Sequence, residues 1–88
     1  MKPKIYNYQT WIAQTDPHKL FMTYEKLLKQ SGFSILKSCE HTFKPHGWTC
    51  MWLLGESHLA LHTFPESKTT YLELASCVKR PFDKFVRG

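Results

Sequence analysis

Trp48, Cys50, Met51, Trp52, Leu53 and Leu54 form an apolar run interrupted only by Thr49, and Gly55-Glu56 cuts this run from a second one, Ser57 to Phe64. A strand apolar at nearly every position must be covered on both faces, so Trp48 to Leu54 is expected at the centre of a sheet. The stretch that follows, Gly55-Glu56-Ser57-His58-Leu59-Ala60-Leu61-His62-Thr63-Phe64-Pro65-Glu66, sets polar groups into what otherwise reads as buried strand. Polar side chains are costly there unless they have partners or work to do.

The rest of the chain supplies the sheet and its cover. Lys4 to Ala13 alternates Ile5, Asn7, Gln9 and Trp11 against Tyr6, Tyr8, Thr10 and Ile12, the pattern of a half-buried strand. Asp16-Pro17 then opens a helix, with Asp as the cap and Pro at the first position, where a missing N–H costs nothing. Leu20, Phe21, Tyr24, Leu27 and Leu28 make one apolar stripe, Glu25 and Lys29 a favourable pair, and Gly32 the stop. Phe33 to Phe43 reads as a strand with Phe33, Ile35, Cys39, His41 and Phe43 on one face. Pro45-His46-Gly47 and Pro65-Glu66-Ser67-Lys68 are turns, and Thr69 to Ser76 is the fifth strand. Pro81 to Val86 begins a second helix. The order β-α-β-β-β-β-α predicts an α+β two-layer sandwich, a mostly antiparallel sheet covered on one face by helices, with residues 1–88 as a single domain.

Composition narrows the function. In a chain of 88 residues the core is small, and its three Trp, four Tyr and six Phe exceed what that core can bury, so some aromatics face a partner or ligand. Three Cys is an odd number and no charged-then-apolar leader precedes them, which argues against a secreted disulfide framework and for the cytoplasm. The longest apolar run is far short of the roughly 20 residues that cross a bilayer. The net charge of +5 is dispersed along the chain, unlike a nucleic-acid footprint. Cys39, His41, His46, His58 and His62 are soft ligands in a short span, but no Cys-x-x-Cys pair accompanies them, and no metal is expected.

Glu56-Ser57-His58, a second histidine at His62 and the aromatic-Pro-Glu of Phe64-Pro65-Glu66 resemble the self-processing segment of the prokaryotic S-adenosylmethionine decarboxylase family. Cys77, twenty residues after Ser57, stands where that family has its catalytic cysteine. His41-Thr42-Phe43-Lys44-Pro45-His46-Gly47-Trp48-Thr49 resembles its His-x-Phe-x-Pro-x-Gly-x-Ser run, with Thr49 for the usual serine. The resemblance reaches to about residue 82, where relatives usually continue through a complete second helix and another strand, so the chain reads as a short member or a truncated one.

The resemblance implies a proenzyme that breaks its own Glu56-Ser57 bond, leaving chains 1–56 and 57–88, with Ser57 converted to a covalent pyruvoyl cofactor. That group would form a Schiff base with the substrate amine and accept the electrons released as carbon dioxide departs. An attacking serine needs strain, an oxyanion donor and a base. Gly55 is expected to adopt the unusual backbone angle, Thr49 to reach the bond as a hydroxyl donor, and His62 to be the processing acid/base, an imidazole being suited to proton transfer near neutral pH. In a regular strand residues 57 and 62 face opposite sides, so the two meet only if Ser57 lies in the turn. Cys77 would be the proton donor in turnover. Glu66, Phe43 and Phe64 would bind the substrate, S-adenosylmethionine, in a pathway to spermidine, and a homodimer would complete the site. Phe64 replaces the commoner tryptophan, Ser67-Lys68 an aromatic-Gly pair, and Val78 a glycine. A decarboxylase of arginine or ornithine, and an uncleaved non-catalytic homologue, stand as alternatives.

Overall fold

A computed structural model of the protein describes residues 2–88. Its elements are β1 (Tyr6–Ile12), α1 (Pro17–Ser31), β2 (Ile35–Thr42), β3 (Trp48–Leu54), β4 (Ser57–Phe64), β5 (Thr69–Ser76) and α2 (Lys79–Arg87), with one 3₁₀ turn at Pro65–Ser67. All strands join a single antiparallel sheet in the order β1-β5-β4-β3-β2. Strands β2 to β5 run as successive hairpins, and β1 closes the far edge beside β5.

Local chemistry explains the limits of α1. The Asp16 side chain accepts the Lys19 backbone N–H at 3.4 Å, and Pro17 follows at the first helical position. At the other end Gly32 takes φ 99°, a left-handed angle, and its N–H reaches the Leu28 and Lys29 carbonyls. Between these caps the expected stripe buries Leu20 and Leu28, with Phe21, Tyr24 and Leu27 packed around them. Trp52, fully buried, lies beneath: its ring is 5.3 Å from that of Phe21, and its indole N–H donates to Glu25 Oε1 at 3.2 Å. Glu25 also faces Lys29 at 3.9 Å.

Strand alternation sorts the sheet into two unlike faces. Cys50, Trp52, Leu54, Leu59, Leu61, Leu72 and Leu74 form the core with Leu20, Leu28 and Phe85 of the helices. Burying each large apolar side chain here stabilises the fold by about 1.5–3 kcal/mol. No element among the described residues covers the opposite face, and there Trp11, Met51, Leu53 and Phe64 stay 60%, 41%, 52% and 41% exposed.

Three expectations are corrected. Strand β3 is not central; β4 is, and β3 is apolar on both sides because one side is the core and the other the open face. Strand β2 does not hold one face from Phe33 to Phe43: the register shifts between Ile35 and Lys37, so Ile35 pairs with Leu54 on the core side, whereas Cys39 and His41 pair with Met51 and Thr49 on the open side. Helix α2 is complete by Arg87, starting two residues before Pro81, because Phe85 is buried and Phe82 packs against the core.

Candidate active site

The hairpin joining β3 to β4 is as tight as a hairpin can be: Leu54 pairs with Ser57, leaving Gly55 and Glu56 as the whole loop. The strain falls on Glu56, which takes φ 58°. Gly55 does not carry it, contrary to the expectation, and a residue with a Cβ held in the left-handed region costs about 1–3 kcal/mol. The strained residue is the one whose carbonyl belongs to the Glu56-Ser57 bond.

Strand β5 ends beside that bond. The Cys77 thiol donates to the Glu56 carbonyl oxygen at 3.1 Å, and the Cys77 backbone N–H reaches the same oxygen at 3.5 Å. Ser57, paired with Ser76 across β4 and β5, is buried on the helix side, and its hydroxyl donates to Ser76 Oγ at 2.6 Å. A cleft of about 510 Å³ opens here, with Ile5, Leu36, Leu53 and Ala75 as apolar walls beside Glu56, Ser57 and Cys77.

The remaining candidates gather at the other end of the same strands. Thr49 and His62 are cross-strand partners on the open face and share a hydrogen bond of 3.0 Å between Oγ1 and Nδ1. The His62 ring lies over that of Tyr71, centroids 6.3 Å apart. Burial first, then the hydrogen bond to Glu73 at 2.9 Å, raises the Tyr71 phenol above its ordinary pKa. Phe43, Phe64 and Glu66 line a second cleft of about 280 Å³ with Thr49 and His62. Glu66 faces His46 Nε2 at 3.4 Å.

Within one chain, then, Ser57, Glu56 and Cys77 come together, as do Thr49, His62, Phe43, Phe64 and Glu66, but the two groups do not meet. Ser57 is the first residue of β4 and not part of the turn, so alternation puts it and His62 on opposite faces, roughly 16 Å apart along the strand. Thr49 therefore reaches His62 and not the Glu56-Ser57 bond. His58 and His62 share a face but stand roughly 13 Å apart, too far to share a metal. Ser76 is a residue the sequence reading missed. Its signal was the strand register, since Thr69 pairs with Phe64 and the two strands then run back to set Ser76 opposite Ser57.

A family model described as S-adenosylmethionine decarboxylase matches residues 9–87. The S-adenosylmethionine decarboxylase proenzyme of Persephonella marina is 42% identical over 53 residues, covering 60% of this chain and 40% of that protein. That of Parasynechococcus marenigrum is 39% identical over 49 residues, 56% of this chain and 38% of that protein. The matched stretch thus spans about two fifths of the length of these curated relatives. Among solved structures, the adenosylmethionine decarboxylase of Aquifex aeolicus has the same fold, with a TM-score of 0.74 at 21% identity over 99% of this chain and 81% of that one. The match over residues 9–87, carried on this sheet and these two clefts, establishes that the chain belongs to the S-adenosylmethionine decarboxylase family.

Proposed function

We propose that the protein is a self-cleaving, pyruvoyl-dependent decarboxylase of S-adenosylmethionine. The observation that carries this reading is the convergence of the Cys77 thiol and N–H on the carbonyl oxygen of Glu56, a residue held at a left-handed φ. That oxygen is where negative charge develops when a neighbouring hydroxyl adds to the carbonyl, so donors already aimed at it lower the barrier. Ser57 Oγ forms a bond to the Glu56 carbonyl carbon, the carbon–nitrogen bond breaks, and the hydroxyl proton ends on the Ser57 nitrogen. Loss of the Ser57 Cα proton then expels Glu56 as a carboxylate, and water replaces the nitrogen as ammonia. Chains 1–56 and 57–88 result.

The residues around Ser57 fit the group so formed: the cleft beside it has apolar walls, and Cys77 stands within reach as a proton donor. The pyruvoyl group would supply an electron sink for the departing carboxylate's electrons. Cys77 would deliver a proton to the carbon left behind. Phe43 and Phe64 would hold the adenine and Glu66 the ribose hydroxyls, as the family resemblance implies.

Two clefts on one chain become one site if a second copy docks open face to open face with its strands reversed, bringing the partner's His62 over this chain's cleft at Glu56 and Cys77, across the sheet from the Ser57 hydroxyl. Exposed Trp11, Met51, Leu53 and Phe64 give that face the apolar character such a contact requires. The homodimer is accordingly the working unit, and Thr49 orients the His62 that serves the other copy's bond.

Release of labelled carbon dioxide from carboxyl-labelled S-adenosylmethionine, with arginine and ornithine in parallel, tests the substrate. Release from S-adenosylmethionine alone is expected; release from either amino acid and not from S-adenosylmethionine would reassign it.

A further inference from the structure

We infer that Ser76 is a positioning residue for the cleavage reaction, an inference that rests on the self-cleaving reading above. The hydrogen bonds around it leave little freedom. Ser76 Oγ accepts the Val78 backbone N–H at 2.9 Å and donates its own proton to the Val78 carbonyl at 3.3 Å. Its proton is therefore committed, and what it turns toward Ser57 is a lone pair. Across the 2.6 Å contact it is Ser57 that donates. Both hydroxyls are buried, 8% exposed at Ser57 and 2% at Ser76, so water does not compete for either one.

This arrangement has two effects on Ser57. Its rotamer is fixed, and its oxygen, being the donor of this hydrogen bond while keeping its proton, leaves its lone pairs free for attack on the Glu56 carbon. Ser76 itself gains no proton in the step, because a serine hydroxyl is not a base; the Ser57 proton still ends on the Ser57 nitrogen. Ser76 is the last residue of β5 and Cys77 follows it, and continued alternation turns them to opposite sides. One holds the nucleophilic oxygen, and the other holds the carbonyl oxygen of the bond under attack. The last turn of β5 thereby sets both reacting groups from one short piece of backbone.

The test uses the full chain, made by cell-free synthesis and sampled over time by intact mass. Ser76→Ala is expected to cleave about 10²-fold more slowly, the scale of loss for a misplaced reacting group. Ser76→Thr keeps the hydroxyl and should restore most of the rate, whereas Ser76→Val, of the same shape without it, should not. Hydroxylamine, which breaks an ester but not an amide, should leave Ser76→Ala slow, because the ester is what forms slowly. Wild-type rates in the alanine or valine variant, equal slowing of threonine and valine, or full rescue by hydroxylamine would overturn the inference. Failure of the wild-type chain to cleave would instead overturn the reading beneath it, and this inference with it.

Discussion

The thiol of Cys77 donates to the carbonyl oxygen of Glu56 at 3.1 Å, although the two residues are 21 positions apart in the chain. Sequence position alone separates Cys77 from the cleavage chemistry and leaves it a role only in turnover. Under the proposed self-cleavage the contact would give it both, since a donor on the carbonyl of the bond to be cleaved acts before any substrate binds.

Cys77→Ala should therefore slow cleavage by roughly 10²-fold, the low end for loss of an oxyanion donor, because the backbone N–H remains. Cys77→Ser keeps a donor and should cleave at close to the wild-type rate, yet release far less labelled carbon dioxide. Time courses of intact mass and of carbon dioxide release on the same preparations separate the two effects. Wild-type cleavage by the alanine variant would remove Cys77 from the first step.

A mixed dimer tests the exchange of sites between copies. His62→Ala alone should cleave about 10²–10⁴-fold more slowly, the contribution of a positioned acid–base group. Ser57→Ala cannot cleave itself but still carries His62. Co-folded with His62→Ala, it should restore cleavage of the His62→Ala chain in the mixed dimers. If the mixture stays uncleaved while size-exclusion mass reports dimers, His62 does not act across the interface.

Ser31 offers a stability test remote from both clefts. The residue is 3% exposed, and its buried hydroxyl has no hydrogen-bond partner among the described residues. Ser31→Ala removes an unpaired polar group and should stabilise the fold by about 1 kcal/mol, a rise in Tm of about 4–8 °C for a domain of this size. A fall in Tm would mean the hydroxyl has a partner in solution.

Cys50 should make alkaline stability measurable. Burial first, then the nearby Glu40 carboxylate, pushes its thiol from 9.0 up to about 12. The fold thus prefers the neutral thiol, a preference fully present below pH 9 and lost as pH rises from 9 toward 12. Thermal midpoints of the wild type should fall relative to those of Cys50→Val across that window. Parallel curves would show that the thiol does not titrate there.

Much of this was legible where the signals are local. The Asp16-Pro17 start, the Gly32 stop and the limits of β3, β4 and β5 each depend on neighbours in sequence, and they stand where expected. The bulge between Ile35 and Lys37 was not legible, because nothing in residues 33–43 marks the extra residue; pairing with β3 does. The exposed side of β3 misled for a related reason, since Met51 and Leu53 read as core when no element covers them. The candidate residues came from the spaced family resemblance, which did not point to Ser76, and spacing along a strand does not bring Ser57 to His62. Their separation follows from alternation and from distance along β4, and it is why a second copy is proposed to complete the site.

The most direct measurement is the intact mass of the wild-type chain and of Ser57→Ala after folding under identical conditions. The account predicts two fragments from the wild type, split after Glu56, the second lighter by one ammonia than a fragment beginning with serine, and a single unbroken chain from Ser57→Ala. An unbroken wild-type chain, or fragments from the alanine variant, would contradict it.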